Sequence, residues 1–227
     1  FTADRTLELN GMSKLQHLDI TNYNVVQKVN IYDCLQLEKL YMKGTDGISE
    51  ILLPQTLTLK EIEFGKNLVS LNLSNLLSLQ NVTWEAALNK LSTFECINCS
   101  PYMKQRSLDI IKDAPYLTSC KLDIDWTSGD GLTVSEFMNI VDKCTEIRGT
   151  VKLTSFDYLS KINLINRFGD IDNPDNAIDS IYTQYTKMDI QGIKLPSKVY
   201  ITEDDKDRQL LFTPVNANGN NFTGYKW

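Results

Sequence analysis

Four of the five cysteines have a spacing that could bind zinc: Cys96 and Cys99 form a C-x-x-C pair, and Cys120 and Cys144 follow downstream. Four thiolates can hold a structural zinc ion in a tetrahedral site. Each of these cysteines, however, also falls on a core, turn or helix-face position of a hydrophobic pattern described below, where a thiol packs as a small apolar group. The pattern therefore favours buried thiols, and we predict no metal and no other cofactor.

The cysteine count also bears on disulfides. Five is an odd number, and the repeat order places Cys34 several turns of the chain away from Cys99. The sequence indicates no disulfide framework and leaves the redox compartment open.

Two acidic segments could bind calcium. The segment 123–127 begins like an EF-hand loop, but such a loop needs Gly at its sixth and Glu at its twelfth position, and these positions hold Ser128 and Val134. A second segment, 170–179, is rich in Asp and Asn. Oxygen-rich loops of this kind bind calcium in some proteins, but Asp and Asn are also ordinary turn residues, so we favour a solvated turn.

Catalytic groups are few. His17 is the only histidine, and the chain contains no G-x-S-x-G, P-loop or G-x-G-x-x-G motif. Glu61 and Glu63 lie on the same solvent face of one predicted strand, and no cleft is predicted that would raise the pKa of either carboxylate. We therefore predict that this chain is not an enzyme.

Charge and hydropathy exclude further classes. There are 23 Lys and Arg against 29 Asp and Glu, which gives a net charge of −6. An acidic chain is a poor non-specific ligand for nucleic acid or an anionic membrane. No apolar run approaches the roughly 20 residues that cross a bilayer, so membrane insertion is not expected.

The dominant pattern is an internal repeat of the form apolar-x-x-apolar-x-apolar. Each unit predicts a short strand with alternate residues in a core, followed by a turn. The units start at Leu15, Val26, Leu37, Ile48, Leu59, Leu68, Leu79 and Leu91, so that most starting positions differ by 11. An incomplete copy, with Asp4, Leu7 and Leu9 at the core positions, precedes them.

This pattern resembles the leucine-rich repeat family, in particular its irregular bacterial and phage members, because two 11-residue units make a 22-residue coil within the family's range of 20–29 residues. The consensus also allows Cys three residues beyond the last core position, where Cys34 and Cys99 lie. Other units hold different residue types there, so no subfamily is indicated. The resemblance implies an α/β solenoid of stacked parallel strands, because one short strand cannot bury its face alone.

After residue 100 the pattern predicts helices on the return side of each coil. We expect helices at 101–114, at 134–144 with Thr133 or Ser135 as the cap, at 156–168 and at 177–185. Strands are expected at the triplet that begins at Leu117, at 150–153 and at 187–190. Strands near 26, 48, 68, 91, 117, 150 and 187 should then share one continuous sheet, with the units that begin at 15, 37, 59 and 79 on the other side.

The C-terminal segment 197–227 has a different residue pattern from the repeats before it. It is similar to the first strands of a bacterial immunoglobulin-like domain, in which a Pro and a nearby Asn-Ala precede a strand with a core Trp. Here these residues are Pro214, Asn216, Ala217 and Trp227. We therefore predict a repeat domain at 1–196, strand-rich over 1–100 and helix-containing over 101–196, and a partial β domain at 197–227 that the natural protein continues.

Outward strand residues are the remaining candidates for function. Most of them are neutral and polar, and they lie on the faces that a stacked repeat offers to a partner. The candidates for binding are Gln27, Lys28, Asn30, Tyr41, Asn72, Glu95 and Lys121.

The resemblance to gut-bacterial surface proteins and to tailed-phage virion proteins implies an extracellular, virion or bacterial cell-surface location. The predicted function is a non-catalytic interaction or attachment module, as in a phage tail or fibre or a cell-surface adhesin. Its partner would be a protein or surface glycan of a host cell, or neighbouring structural subunits of a larger particle. Two alternatives stay open: a spacer or assembly domain, and a substrate-binding arm of an enzyme whose catalytic domain lies elsewhere.

Overall fold

Short parallel strands build the first half of the molecule. The computed structural model describes residues 5–155 and 180–183. Nine strands precede the first helix: β1 (Thr6–Glu8), β2 (His17–Asp19), β3 (Lys28–Asn30), β4 (Lys39–Tyr41), β5 (Glu50–Leu52), β6 (Glu61–Phe64), β7 (Ser70–Asn72), β8 (Asn81–Trp84) and β9 (Thr93–Cys96). From β2 to β9 the more buried and the more exposed side chains alternate, as the repeat predicts, whereas in β1 Thr6 is buried and Leu7 is only partly buried.

The strands of the first part pair in parallel with strands two units away along the chain. The even strands form one sheet in the order β2-β4-β6-β8, with His17 opposite Lys39 and Glu61 opposite Asn81. The odd strands β1, β3 and β5 form a second sheet, with Thr6 opposite Lys28. The predicted assignment of alternate units to two sides is therefore confirmed for the strands before the first helix.

The odd side is not one continuous ladder, however. Strand β7 pairs with β9 rather than with β5, so the predicted single sheet is divided at this point. One backbone hydrogen bond, from the Val69 N–H to the Ser49 carbonyl at 2.9 Å, still joins the two parts.

The second half contains the helices. Helix α1 (Pro101–Asp113) begins after Ser100, whose hydroxyl accepts from the Met103 N–H. It is followed by β10 (Ser119–Trp126), β11 (Leu132–Thr133), α2 (Val134–Val141), β12 (Cys144–Ser155) and β13 (Ser180–Thr183). The sheet runs β7-β9-β10-β12, and both β11 and β13 pair with β12. No helix among the described residues is long and apolar enough to cross a bilayer.

The helices predicted at 101–114 and 134–144 are confirmed, with differences at their ends. Helix α2 ends at Val141 rather than at Cys144, because Cys144 begins β12, which is much longer than the predicted strand at 150–153. The helix predicted over 177–185 is wrong: Ser180–Thr183 is a strand paired with β12. Its Ile, Tyr and Thr residues favour extended backbone, and the edge of β12 supplies hydrogen-bond partners. The helix at 156–168, the strand at 187–190 and the domain at 197–227 lie outside the described residues.

One hydrophobic core connects the two halves and extends from Val26 to Leu153. Leu40 and Leu71 are almost completely buried at the centres of β4 and β7, as predicted. The first full unit is less covered, because Leu15 and Leu18 are only partly buried.

The turns have their own regularity. Asn22, Gly44, Asn75 and Asn98 all occupy the second position beyond the last core residue of a unit, and all adopt positive φ angles between 51° and 66°. Asn and Gly are the residues that tolerate this conformation best. At the next position, four units have a buried side chain that donates to a backbone carbonyl group: Cys34, Thr45, Thr56 and Cys99. The Asn or Gly that recurs in these turns therefore lies one position before the position at which the leucine-rich repeat consensus allows Cys.

Candidate interaction surfaces

Three of the predicted binding residues meet on the sheet that contains β7, β9 and β10. Asn72 on β7 donates from Nδ2 to Glu95 Oε2 on β9 at 3.1 Å, and Lys121 Nζ on β10 lies 3.0 Å from Glu95 Oε1. The Lys121 side chain is 45% exposed and that of Glu95 is 29% exposed. Because these groups satisfy one another, this row offers a partner polar contacts without net charge. An exposed pair of this kind stabilises the fold by only about 0–1 kcal/mol.

The same face continues across β10 and β12. The guanidinium of Arg148 donates to Asp123 Oδ1 from Nε at 3.0 Å and from Nη2 at 2.9 Å, and Asp123 Oδ2 accepts from the Asn98 N–H at 2.7 Å. Together with Lys104 and Gly149, these residues line an open depression of about 410 Å³. Asp123 is therefore a partner of Arg148, which sequence analysis missed because it considered this aspartate only as a calcium ligand.

Three further predicted residues lie apart from this row, on β3 and just before it. Lys28 forms an ion pair with Glu50 on β5 at 3.0 Å, and Asn30 Oδ1 accepts from the Tyr32 N–H at 3.2 Å. Gln27 is exposed, and its carbonyl accepts from the Ser49 N–H. The division of the odd side between β5 and β7 separates this group from Asn72, Glu95 and Lys121.

Tyr41, the remaining predicted residue, lies on the even sheet. Its hydroxyl donates to Glu61 Oε2 at 2.6 Å, Lys39 Nζ lies 3.2 Å from Glu61 Oε1, and the ring of His17 contacts the Tyr41 ring edge-on at 5.1 Å. Hydrogen bonds from Tyr41 and Lys39 lower the pKa of Glu61, and the bond to Glu61 raises the pKa of Tyr41. A carboxylate with a lowered pKa remains ionised at neutral pH and is a poor proton donor.

A column of exposed leucines runs along the turns before the even strands. Leu35, Leu57 and Leu77 each occupy the second position before a core leucine and are 54%, 64% and 46% exposed. Their turns are adjacent: the Thr56 hydroxyl donates to the Leu35 carbonyl at 2.7 Å, and Asn75 Nδ2 donates to Gln55 Oε1 at 2.9 Å. Exposed apolar groups in register are typical of contact surfaces. We refer to Leu35, Leu57 and Leu77 as the leucine column.

Helix α1 covers an aromatic cluster beside β8. Trp84 stacks on Phe64 at 5.7 Å, its Nε1 donates to Asp113 Oδ2 at 2.7 Å, and the Arg106 guanidinium lies 4.7 Å from the centre of the Trp84 ring system. Arg106 also forms an ion pair with Asp109, while its buried Nε has no hydrogen-bond partner among the described residues. A cation over a tryptophan ring stabilises by about 0.5–2 kcal/mol. The cluster therefore anchors α1 onto the stacked strands.

A pocket of about 410 Å³ lies between α1 and the loop that joins β10 to β11. Its walls include Arg106, Trp126 and Gly129, and Trp126 Nε1 donates to the Ser107 hydroxyl at 3.1 Å. The described residues that line it include no histidine or cysteine that could act as a base or nucleophile.

The cysteines do not form a metal site in the described part of the chain. Cys34, Cys96, Cys99 and Cys120 are buried, Cys144 is partly exposed, and all five are thiols. Over residues 5–155 and 180–183, no three His, Cys, Asp or Glu side chains converge so that they could hold a metal ion. The Sγ atoms of Cys120 and Cys144 are nevertheless only 2.7 Å apart.

Sequence analysis missed the leucine column, although its signal was present. Consecutive leucines of this column are about two repeat units apart. They fall outside the apolar-x-x-apolar-x-apolar pattern and lie in turns between strands. Comparisons of this chain with protein-family models, with curated proteins and with solved structures found no match.

Proposed function

We propose that this chain is a leucine-rich-repeat solenoid that acts as a non-catalytic attachment module, with the leucine column as its principal contact surface. It attaches the protein that carries it to a host-cell surface or to neighbouring structural subunits, outside the cell or in a virion. The observation that carries the proposal is the exposure of three leucines in equivalent turns of the repeat. A partner that covers them would remove about 25 cal/mol of unfavourable free energy per Å² of apolar surface.

The ion pairs between neighbouring strands also favour the leucines as the main contact residues. Lys28, Lys39 and Lys121 are each paired with a glutamate on the neighbouring strand. Side chains that already satisfy one another gain little from a new partner, and such residues at the rim of an interface contribute mainly specificity. The leucines have no such internal compensation, so the apolar column supplies affinity and the polar faces beside it orient the partner.

The test uses a photo-crosslinking residue in the full protein, expressed in its source organism. p-Benzoylphenylalanine at position 35, 57 or 77 inserts into C–H bonds of a protein or of a glycan. We expect one recurrent adduct from these three positions. Val25 and Tyr116 provide matched controls, since they are 57% and 68% exposed but precede β3 and β10, which lie outside the sheet β2-β4-β6-β8. If neither set gives adducts, the attachment function is wrong and the spacer function remains. If only the control positions give adducts, the leucine column is not the contact surface.

A second experiment measures affinity for the captured partner. Replacing Leu35, Leu57 and Leu77 together by Ser should weaken binding at least tenfold and change stability little, because all three side chains are exposed. Val25→Ser combined with Tyr116→Ser should leave binding unchanged. Equal binding by both variants would remove the leucine column from the interface.

A further inference from the structure

Two thiols on neighbouring strands are close enough to react. Cys120 lies in β10, and Cys144, the first residue of β12, is its register partner. Their Sγ atoms are 2.7 Å apart. A disulfide bond is about 2.05 Å long and joins Cα atoms that are roughly 4.4–6.8 Å apart, a range that includes the spacing of adjacent strands. Only small side-chain movements therefore separate the two thiols from a bond.

We propose that Cys120 and Cys144 are a redox-responsive pair, which closes to a disulfide between β10 and β12 when a low-molecular-weight disulfide such as glutathione disulfide is the oxidant. The pair opens again in excess thiol. It is independent of the leucine column and of the attachment function.

The surroundings divide the two thiols into an accessible and a buried partner. Cys144 is partly exposed, whereas Cys120 is 1% exposed. The hydrogen bond with Cys144 lowers the pKa of Cys120, against the opposing effect of burial, and the charge of Lys143 lowers it further. The exposed thiol is thus available to an oxidant in solution, and the buried one is placed to attack it afterwards.

The reaction balances with one equivalent of oxidant. The Cys144 thiolate attacks a sulfur of glutathione disulfide, which forms a mixed disulfide and releases one glutathione thiolate. The Cys120 thiolate then attacks the Cys144 sulfur, which forms the protein disulfide and releases the second glutathione. The protein loses two electrons and two protons, and the oxidant becomes two glutathione molecules.

The other cysteines provide an internal comparison. Cys96 and Cys99 are 0% and 4% exposed, and Cys99 Sγ donates to the Cys96 carbonyl at 3.5 Å. Cys34 is fully buried, and its Sγ donates to the Leu9 carbonyl at 3.7 Å. A bulky oxidant cannot reach these three sulfurs without local opening. Accessibility therefore distinguishes one pair from the C-x-x-C motif, whose sequence pattern is the more familiar redox signal.

Closing the bond would tie together the two ends of segment 120–144, which contains β11 and α2. Restricting the unfolded chain in this way should raise the midpoint of thermal unfolding by about 5–10 °C.

Peptide mapping of the full-length protein tests the proposal. The protein is equilibrated in glutathione buffers of increasing oxidised fraction, alkylated under denaturing conditions and digested with trypsin. We expect peptide 113–121 linked to peptide 144–148, with Cys34, Cys96 and Cys99 alkylated in the same digest. Cys144→Ser should abolish both the link and the thermal shift, whereas Cys99→Ser should preserve both. If Cys144→Ser does not fold, the map of the unmodified protein decides alone.

Three results would overturn the proposal. In the first, Cys120 and Cys144 remain thiols at every buffer composition. In the second, Cys144 stops at the mixed disulfide with glutathione. In the third, the bond that forms joins Cys96 to Cys99 instead.

Discussion

The two halves of the described structure cover the same core in different ways. Before residue 100, short parallel strands in separate sheets cover the core. After residue 100, helices α1 and α2 pack against the sheet, the repeat that runs from Leu91 to Leu117 is longer than two of the earlier 11-residue units, and β10 and β12 are much longer than the earlier strands. The long strands are therefore the ones against which the helices pack.

Side chains explain this difference. Helix α1 buries Met103, Ile110 and Ile111, which spread apolar surface along most of its length. A return segment that is itself a short strand buries only its alternate residues. With more cover available, β10 can bury every second residue from Cys120 to Trp126. The helix-covered strand β10 therefore buries more side chains than the short strands before it.

The largest expected effect comes from opening a cavity in either half. Leu40→Ala in the strand-only half and Phe137→Ala in α2 should each cost about 2–5 kcal/mol in the free energy of unfolding. Because both side chains belong to one connected core, both variants should shift the same single transition in denaturant. Leu57→Ala, at a 64% exposed position, is the control and should change stability little. Two separate transitions, each sensitive to one variant, would show that the halves fold independently.

A smaller loss of stability is expected from a substitution where the backbones of β10 and β12 lie close together. Gly149 in β12 has a φ of 122°, and a Cβ added there would lie 1.9 Å from the Ile124 carbonyl oxygen of β10. Gly149→Ala should therefore cost about 1–3 kcal/mol or more. Gly129→Ala shares the positive φ but meets nothing within 4 Å, so it should cost only about 1 kcal/mol. Equal losses in calorimetry would mean that the close approach does not matter.

The cap of α2 should contribute less. The Thr133 hydroxyl accepts from the Glu136 N–H at 3.2 Å, and Glu136 Oε2 accepts from the Thr133 N–H at 2.8 Å. Thr133→Ala removes one half of this capping box and should destabilise by about 1 kcal/mol. Ser135→Ala, at the alternative cap position considered from sequence, lies inside the helix and should be neutral. Urea unfolding of both variants compares the two positions directly, and a larger loss for Ser135→Ala would contradict the cap assignment.

The smallest expected effect is on the pH dependence of stability, through Glu61 in the sheet β2-β4-β6-β8. The pKa of Glu61 is lowered in the folded state, first by the Tyr41 hydroxyl and then by Lys39. A group with a lowered folded pKa stabilises above its unfolded pKa, here the ordinary 4.5, and this contribution is lost as the pH falls through the lower folded value. Thermal unfolding between about pH 7 and about pH 3 should therefore show a slightly steeper loss for the unmodified chain than for Tyr41→Phe. Identical pH profiles would show that the hydrogen bond does not bias the titration.

Much of the fold follows from the spacing of apolar residues. The triplets predict every strand from β2 to β9 with its inward residues, and the first part of β10, because alternation along a strand and burial of one face are local properties. The helix at 101–113 follows equally from Leu108, Ile110 and Ile111 after Pro101 and from the stop at Pro115. The strand at Ser180–Thr183 could not be predicted in this way, because its partner lies far earlier in the chain and the local pattern also fits a helix.

The amino-acid sequence by itself determined which residues face the core and which alternate units share a side. The tertiary structure alone decided which outward residues meet: Glu95 with Lys121, Asp123 with Arg148, and Cys120 with Cys144. These partners are a full repeat apart in the chain, and their contact depends on the exact length of the coil between them. A change of one residue in that length would move a side chain to the opposite face of its strand, so periodicity identifies the faces but only the folded chain pairs the atoms.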